Sequence, residues 1–188
     1  MPLTDRLLWQ NRPHGYRRGA TGLAILWTPQ GSLSEADLRD LEAELGTVLP
    51  GDYRGWLAAT NGARFSAPAW IPEHEIFAEE CLWGYRTGLP GRDLVTGHRS
   101  TRDVFTADYT AITRTLSGNI AVRTSGDDVG SVWEFDIDRM REDGRYDPVA
   151  VCDDMLVRLA DDFTGFLDLW EVDDSQTIVE PWQPPGSG

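Results

Sequence analysis

The stretch from Leu33 to Gly62, LSEADLRDLEAELGTVLPGDYRGWLAATNG, leaves this chain little local freedom. It reads as two short helices with a hard break between them. Ser34 can cap the first, because its hydroxyl accepts from a backbone N–H that the first turn leaves unpaired. Asp37, three residues on, gives an approximate capping box, and Leu33 can staple onto Leu38. Leu38, Leu41 and Leu45 then recur on one face at helical spacing. Gly46 supplies the left-handed residue that ends the helix. Pro50 suits the start of the second helix, where its missing N–H costs nothing. Tyr53, Trp56 and Leu57 give that helix an apolar face, which places Trp56 in the core. Asn61-Gly62 ends it in a turn that tolerates positive φ.

The order E..LG..LP.dY..wL...NG is carried by Glu42, Leu45-Gly46, Leu49-Pro50, Tyr53, Trp56-Leu57 and Asn61-Gly62. It resembles the N-terminal signature of the SUKH superfamily, which holds fungal Smi/Knr-type regulators of cell-wall synthesis and bacterial immunity proteins against polymorphic toxins. Later in the chain, Gly118-Asn119 before a hairpin, then Phe163 and Phe166-Leu167, are similar to the family's C-terminal half. The resemblance covers most of 33–170 and is weakest through Ala63 to Asp108. It implies a non-enzymatic, protein-binding immunity protein that occludes a cognate toxin. The alternative that it implies is a Smi/Knr-type regulator or scaffold of cell-wall or specialised metabolism. With no long disordered arms in sight, the bacterial immunity protein is the expectation.

A chain of 188 residues with 40% hydrophobic and 10% aromatic content suits one globular domain. The expected core runs over about 22–172, with 173–188 a flexible tail. No repeat or low-complexity linker divides it. Cys81 and Cys152 lie far apart and form no CxxC, which points to free thiols in a reducing compartment. The early apolar run Leu23 to Trp27 is too short for a signal peptide, and nothing approaches a membrane span. A soluble, cytoplasmic protein is expected.

The net charge of −14 is unevenly placed. Residues 1–126 hold 14 acids and 13 arginines, a net −1, whereas 127–188 hold 17 acids and 4 arginines, a net −13. Phosphate repulsion makes nucleic acid a poor partner for such a surface. A basic protein is a good one, because opposite fields speed association; the same excess serves equally as a solubility surface in an acidic proteome.

Along the chain, Pro13 and Gly15 oppose regular structure near the start, and Gly22 to Trp27 is a candidate first strand. Between Ala63 and Asp108 the expectation is a strand near Trp70, a helical turn around Glu75 to Cys81, and an arginine-rich loop from Arg86 to Arg102. A β-meander follows: Tyr109 to Thr113, Ile120 to Thr124 and Val132 to Asp136, with hairpin signals at Gly126-Asp127-Asp128 and Gly130. Alternation puts Trp133 and Phe135 on one face of the third strand and Val132, Glu134 and Asp136 on the other. Asp136 to Asp147 reads as an exposed charged loop, and Val149 to Val151 as a short strand. Leu156, Leu159, Ala160, Phe163, Phe166, Leu167 and Trp170 trace one helical stripe. The fold class is α+β: two N-terminal helices and a C-terminal helix on a mostly antiparallel twisted sheet.

Catalytic patterns are wanting. A lysine-free chain has no phosphate-binding GxxxxGK[ST], and His74-Glu75 is followed by Ala78 where HExxH needs its second histidine. Asp136, Asp138 and Asp143 suggest a calcium loop, but Arg141 occupies the position that must be glycine. His14, His74 and His98 are scattered away from ligand spacing. The four aspartate doublets at 127–128, 153–154, 161–162 and 173–174 suit turns and caps. No enzyme, metal or cofactor is expected. Trp56, Trp133 and Trp170 lie on amphipathic elements and suit the core. Trp9, Trp70 and Trp83 lie in irregular stretches and suit a binding surface. The candidate partner contacts are Trp70, Trp83, Asp127, Asp128, Glu134, Asp136, Asp138, Glu142 and Asp143, facing a toxin with a basic surface. The free protein is expected to be a monomer or weak homodimer, binding neither nucleic acid nor membrane.

Overall fold

The computed structural model describes residues 15–18, 23–65, 69–77, 81–88, 91–139, 147–172 and 178–180. Its first elements are β1 (Gly15–Arg18) and β2 (Leu23–Pro29), an antiparallel pair with an irregularity between Gly15 and Tyr16. Gly15 was expected in irregular chain; pairing with β2 draws it into a strand instead. Trp9, His14 and Pro13 lie outside the described residues.

The two helices form as their sequence dictates. In α1 (Glu35–Leu45), Ser34 Oγ accepts from the Asp37 N–H at 3.2 Å and Asp37 Oδ2 accepts from the Ser34 N–H at 2.9 Å, so the capping box is complete. Gly46 ends α1 at φ +76°. The break before α2 (Gly51–Thr60) is held by Glu42, whose Oε1 accepts from the Leu49 N–H at 3.0 Å and from Arg54 Nε at 3.1 Å. Arg54 reaches back to Glu35 at 2.6 Å as well. The glutamate, the LP pair and the second helix of the signature are thus one local device.

Asn61 closes α2 at φ +45°, and its side-chain amide clasps a distant backbone. Oδ1 accepts from the Tyr85 N–H at 2.7 Å and Nδ2 donates to the Tyr85 carbonyl at 3.0 Å. Gly62 follows at φ +78°, and a Cβ there would lie 2.6 Å from the Gly84 nitrogen. Only glycine permits that approach.

Next come β3 (Ala63–Phe65), β4 (Ala69–Ile71), β5 (Ile76–Phe77) and β6 (Cys81–Leu82). The helical turn expected at 75–81 sits earlier, at Pro72–His74, because Pro72 starts it and Glu75 at φ +56° stops it. The loop expected from Arg86 to Arg102 contains α3 (Leu94–Ser100), capped by Asp93 and burying Leu94, Val95 and His98. The meander follows as β7 (Tyr109–Arg114), β8 (Gly118–Arg123) and β9 (Val132–Asp136). Val149 to Val151 is helical, not extended: Asp147 caps α4 (Pro148–Asp154) and Pro148 takes its first turn. The expected stripe from Leu156 to Trp170 is divided into β10 (Val157–Ala160) and α5 (Phe163–Leu169), because Asp162 caps a new helix start. Last are β11 (Glu171–Val172) and β12 (Ile178–Glu180). β12 lies in the stretch expected as a tail, yet it pairs with β2.

The class is α+β, and among the described residues every strand pair is antiparallel. The described strands fall into three sheets: β1–β2–β3–β6 with β12 also on β2, β10–β9–β8–β7, and β11–β4–β5. A backbone bond from the Trp83 N–H to the Ile112 carbonyl, 2.9 Å, ties the end of β6 to β7. Among the described residues no helix is long and apolar enough to cross a membrane.

Aromatic rings from distant parts of the chain fill the core. Phe163 lies 4.6 Å from Tyr53 and 5.1 Å from Trp56, Phe166 lies 5.6 Å from Trp170, and Trp170 lies 4.9 Å from Phe65, centroid to centroid. Tilted and edge-on contacts at these distances add to simple burial. Asp52 bolts the same two helices together. Its Oδ2 accepts from the N–H groups of Phe163 at 2.8 Å and Thr164 at 3.2 Å, and its Oδ1 from that of Tyr53 at 2.8 Å. Asp162 Oδ1 takes the Gly165 N–H at 2.6 Å and the Asp162 carbonyl takes that of Phe166. All four N–H groups that open α5 are therefore satisfied.

Candidate partner-binding surface

The acidic residues singled out in the sequence lie at opposite ends of β9. At its start, in the β8–β9 hairpin, Asp127 is exposed while Asp128 is half-buried. Asp128 is engaged internally: it pairs with Arg123 at 2.5 Å, approaches Arg158 at 3.9 Å, and its carbonyl accepts from Ser131 Oγ at 2.7 Å. At the far end, Asp136 Oδ1 accepts from the Asp138 N–H at 2.9 Å, and Asp138 is exposed. Four rises of a strand, about 13 Å, separate the two ends before their turns are added. They do not form one compact patch. Glu142 and Asp143 lie outside the described residues.

Two candidates are interior. Glu134 is only 3% exposed, and Trp83 only 6%. β9 is an inner strand, paired with β8 on one edge and β10 on the other, so both of its faces carry buried residues and simple alternation fails there. Trp133 behaves conversely. It is half-buried, its Nε1 donates to Ser131 Oγ at 2.7 Å, and Arg158 stands 5.8 Å from its ring. Trp83 is seated against α3, where a Cβ on Gly97 would come within 2.3 Å of its ring. Trp70 is half-exposed on β4, directly opposite Phe77 of β5.

Beside Trp83 opens a cleft of about 300 Å³, whose polar lining includes Arg92, Thr96, Ser100, Arg114 and Asn119. α3 forms one wall, and the ends of β7 and β8 the other. Neither Arg92 nor Arg114 was singled out in the sequence, because the wall that unites them is tertiary. Guanidinium and amide groups in such a cleft suit polar or anionic side chains. Its described lining brings no His, Asp or Glu beside the Cys81 thiol, so no nucleophile–base pair is assembled there. Neither Cys81 nor Cys152 is in a disulfide, and burial pushes the Cys152 thiol up from its ordinary pKa. Among the described residues no group of three or more His, Cys, Asp or Glu side chains could hold a metal ion.

Two further titratable groups are perturbed by structure. His98, buried on α3, has its pKa pushed down to about 4, chiefly by burial and further by Arg102 and Arg99. Tyr85 is pushed up to about 12 by burial and by its hydrogen bond to Glu44, 2.8 Å from its hydroxyl. Arg86, at φ +50°, donates to the same carboxylate at 2.8 Å and lies 4.5 Å from the Tyr85 ring. This cluster fixes α1 to the segment that Asn61 clasps. It completes the structural use of the signature.

No curated protein matches the chain. The described core, from the α1 capping box to the last turn of α5, coincides with a family match over residues 32–169. On that match the chain belongs to the SMI1 / KNR4 family (SUKH-1).

Proposed function

We propose that this chain is a non-enzymatic immunity protein, which neutralises a cognate bacterial toxin by covering it with a broad folded surface. Membership of the SMI1 / KNR4 family supports a role as immunity protein or regulator, and this observation carries the reading. The charge distribution favours the immunity branch. An excess of 13 negative charges over residues 127–188 attracts a basic partner such as an enzyme that acts on an anionic substrate. Silencing a lethal enzyme demands tight binding. A nanomolar Kd corresponds to about −12 kcal/mol, and a standard interface buries roughly 1,600 Å² in total. The cleft alone is too small for that. The contact therefore draws on the acidic second half, Asp127, Asp136 and Asp138 among it, and on segments of 63–108 such as Trp70. No metal or nucleotide takes part.

The test is co-expression with the toxin encoded beside this protein. Growth should be rescued, and the purified pair should form a stable complex in chelator. Failure of rescue, together with a neighbourhood of metabolic genes, would instead favour the Smi/Knr-type regulator, the family's other role. Turnover of a small substrate by the protein alone would remove both readings.

A further inference from the structure

Six large apolar side chains stand exposed among the described residues, and three of them converge on one end of the β10–β9–β8–β7 sheet. Leu116 is 74% exposed in the β7–β8 turn, Phe77 is 50% exposed on β5, and Ile137 is 49% exposed just after β9. Backbone bonds hold them side by side. The Leu116 N–H donates to the Phe77 carbonyl at 3.2 Å, and the Ile137 N–H donates to the Ser117 carbonyl at 2.7 Å. Phe77 is also the cross-strand partner of Trp70, so the half-exposed indole shares its face. Trp70 on β4, Phe77 on β5, Leu116 in the β7–β8 turn and Ile137 after β9 are thus gathered at one end of the sheet, each exposed or half-exposed. Such patches mark interaction sites far more often than isolated exposed residues do.

The rim is acidic. Asp136 and Asp138 flank Ile137, and exposed Glu75 lies two residues before Phe77. The sequence from Asp136 to Asp147 keeps an acidic excess, with five acids and three arginines. We propose that this end of the sheet is the docking surface for the protein partner: Trp70, Phe77, Leu116 and Ile137 form the apolar centre, and Asp136, Asp138 and Glu75 the rim. The occupant is a partner surface with an apolar centre ringed by lysine or arginine. This proposal rests on the immunity reading and narrows it to one of the two ends of β9. An apolar centre shielded by a charged rim is where interface energy concentrates. A second copy of this chain is a poor occupant, because a two-fold contact would set one acidic rim against the other.

The experiment uses the full chain and a catalytically dead form of the adjacent toxin domain, titrated by calorimetry. Leu116→Asp and Phe77→Asp should each weaken binding by at least about 30-fold, as expected when a hot spot is lost. Asp136→Asn with Asp138→Asn should slow association and flatten its dependence on salt. Val48→Asp is the control: it is 73% exposed in the α1–α2 break, outside this patch, and should change Kd by less than about threefold. Thermal melts equal to wild type establish that each variant is folded. If both patch variants fold and bind within about threefold of a tight wild type, the docking surface is wrong while the immunity reading stands. Loss of a self-dimer in Leu116→Asp, with toxin binding intact, also overturns it. A wild type that binds no adjacent toxin overturns the immunity reading and this surface together.

Discussion

Replacing Asp52 by alanine tests whether the chain's second helix and last helix are a single unit. The substitution strips α5 of the acceptor for the N–H groups of Phe163 and Thr164, and Tyr53 loses a third bond. Phe163 is fully buried, so its amide has little recourse to water. An N-cap alone contributes about 0.5–2 kcal/mol. A hydrogen bond to a charged group contributes about 1.5–3 kcal/mol. Because Asp52 is half-buried and Asp162 still caps one turn of α5, we expect the lower part of that combined range, about 2–3 kcal/mol. Asp52→Asn keeps one carbonyl oxygen while losing the negative charge near a helix N-terminus, and should cost about 1 kcal/mol. The assay is equilibrium denaturation in urea, read as a fall in midpoint at unchanged slope. Combining Asp52→Ala with Asp162→Ala should give a non-additive loss, since the two side chains serve neighbouring amides of one turn, Asp52 those of Phe163 and Thr164 and Asp162 that of Gly165. An Asp52→Ala protein within about 0.5 kcal/mol of wild type would refute the bridging role.

Trp56→Ala removes a fully buried indole 5.1 Å from Phe163 and should cost on the order of 3–5 kcal/mol, measured by thermal or chemical unfolding. Near-wild-type stability there would mean that the core is misplaced. His98 gives a pH test. Its folded pKa, about 4, lies below its ordinary 6.5, so the neutral form is the one the fold prefers. Its contribution is therefore intact above pH 6.5 and is lost as pH falls towards 4, by about 3 kcal/mol in total. Comparing wild type with His98→Leu across that window should show the difference in stability shrinking as the medium is acidified; a constant difference would exclude the effect.

The parts legible in the sequence are those whose causes are local. Ser34, Gly46, Pro50 and Asn61 each act within a few residues, so α1 and α2 could be read directly, as could the β7–β9 meander from its turns. α3 and α4 were missed although Asp93 and Asp147-Pro148 are ordinary helix starts. Arginine content masked the first, and β-branched Val149 and Val151 masked the second. The stripe from Leu156 to Trp170 satisfies a helical period across both β10 and α5, since short apolar runs do not distinguish the two. At the candidate surface, Trp70, Asp136 and Asp138 were visible as residue types. Their meeting with Phe77, Leu116 and Ile137 was not, because it depends on two backbone bonds between distant segments. Leu116 carried the one available hint, a large apolar residue in a polar turn. Glu134 and Trp83 show the converse: their burial is imposed by neighbours that alternation does not reveal.

The long reach of Asp52 also bears on how the chain is made. Residue 163 follows residue 52 by 111 positions, and at about 5–20 residues per second a ribosome needs roughly 6–20 s to add them. Throughout that interval Tyr53 and Trp56 have been synthesised without Phe163, Phe166 or Trp170 to cover them. The capped α1–α2 pair can form early, yet its aromatic face stays wet until α5 emerges. Nascent chains of this protein therefore carry a sticky, half-built core for most of their synthesis, and a shorter wait would follow from any rearrangement of the gene that brought α5 closer to α2.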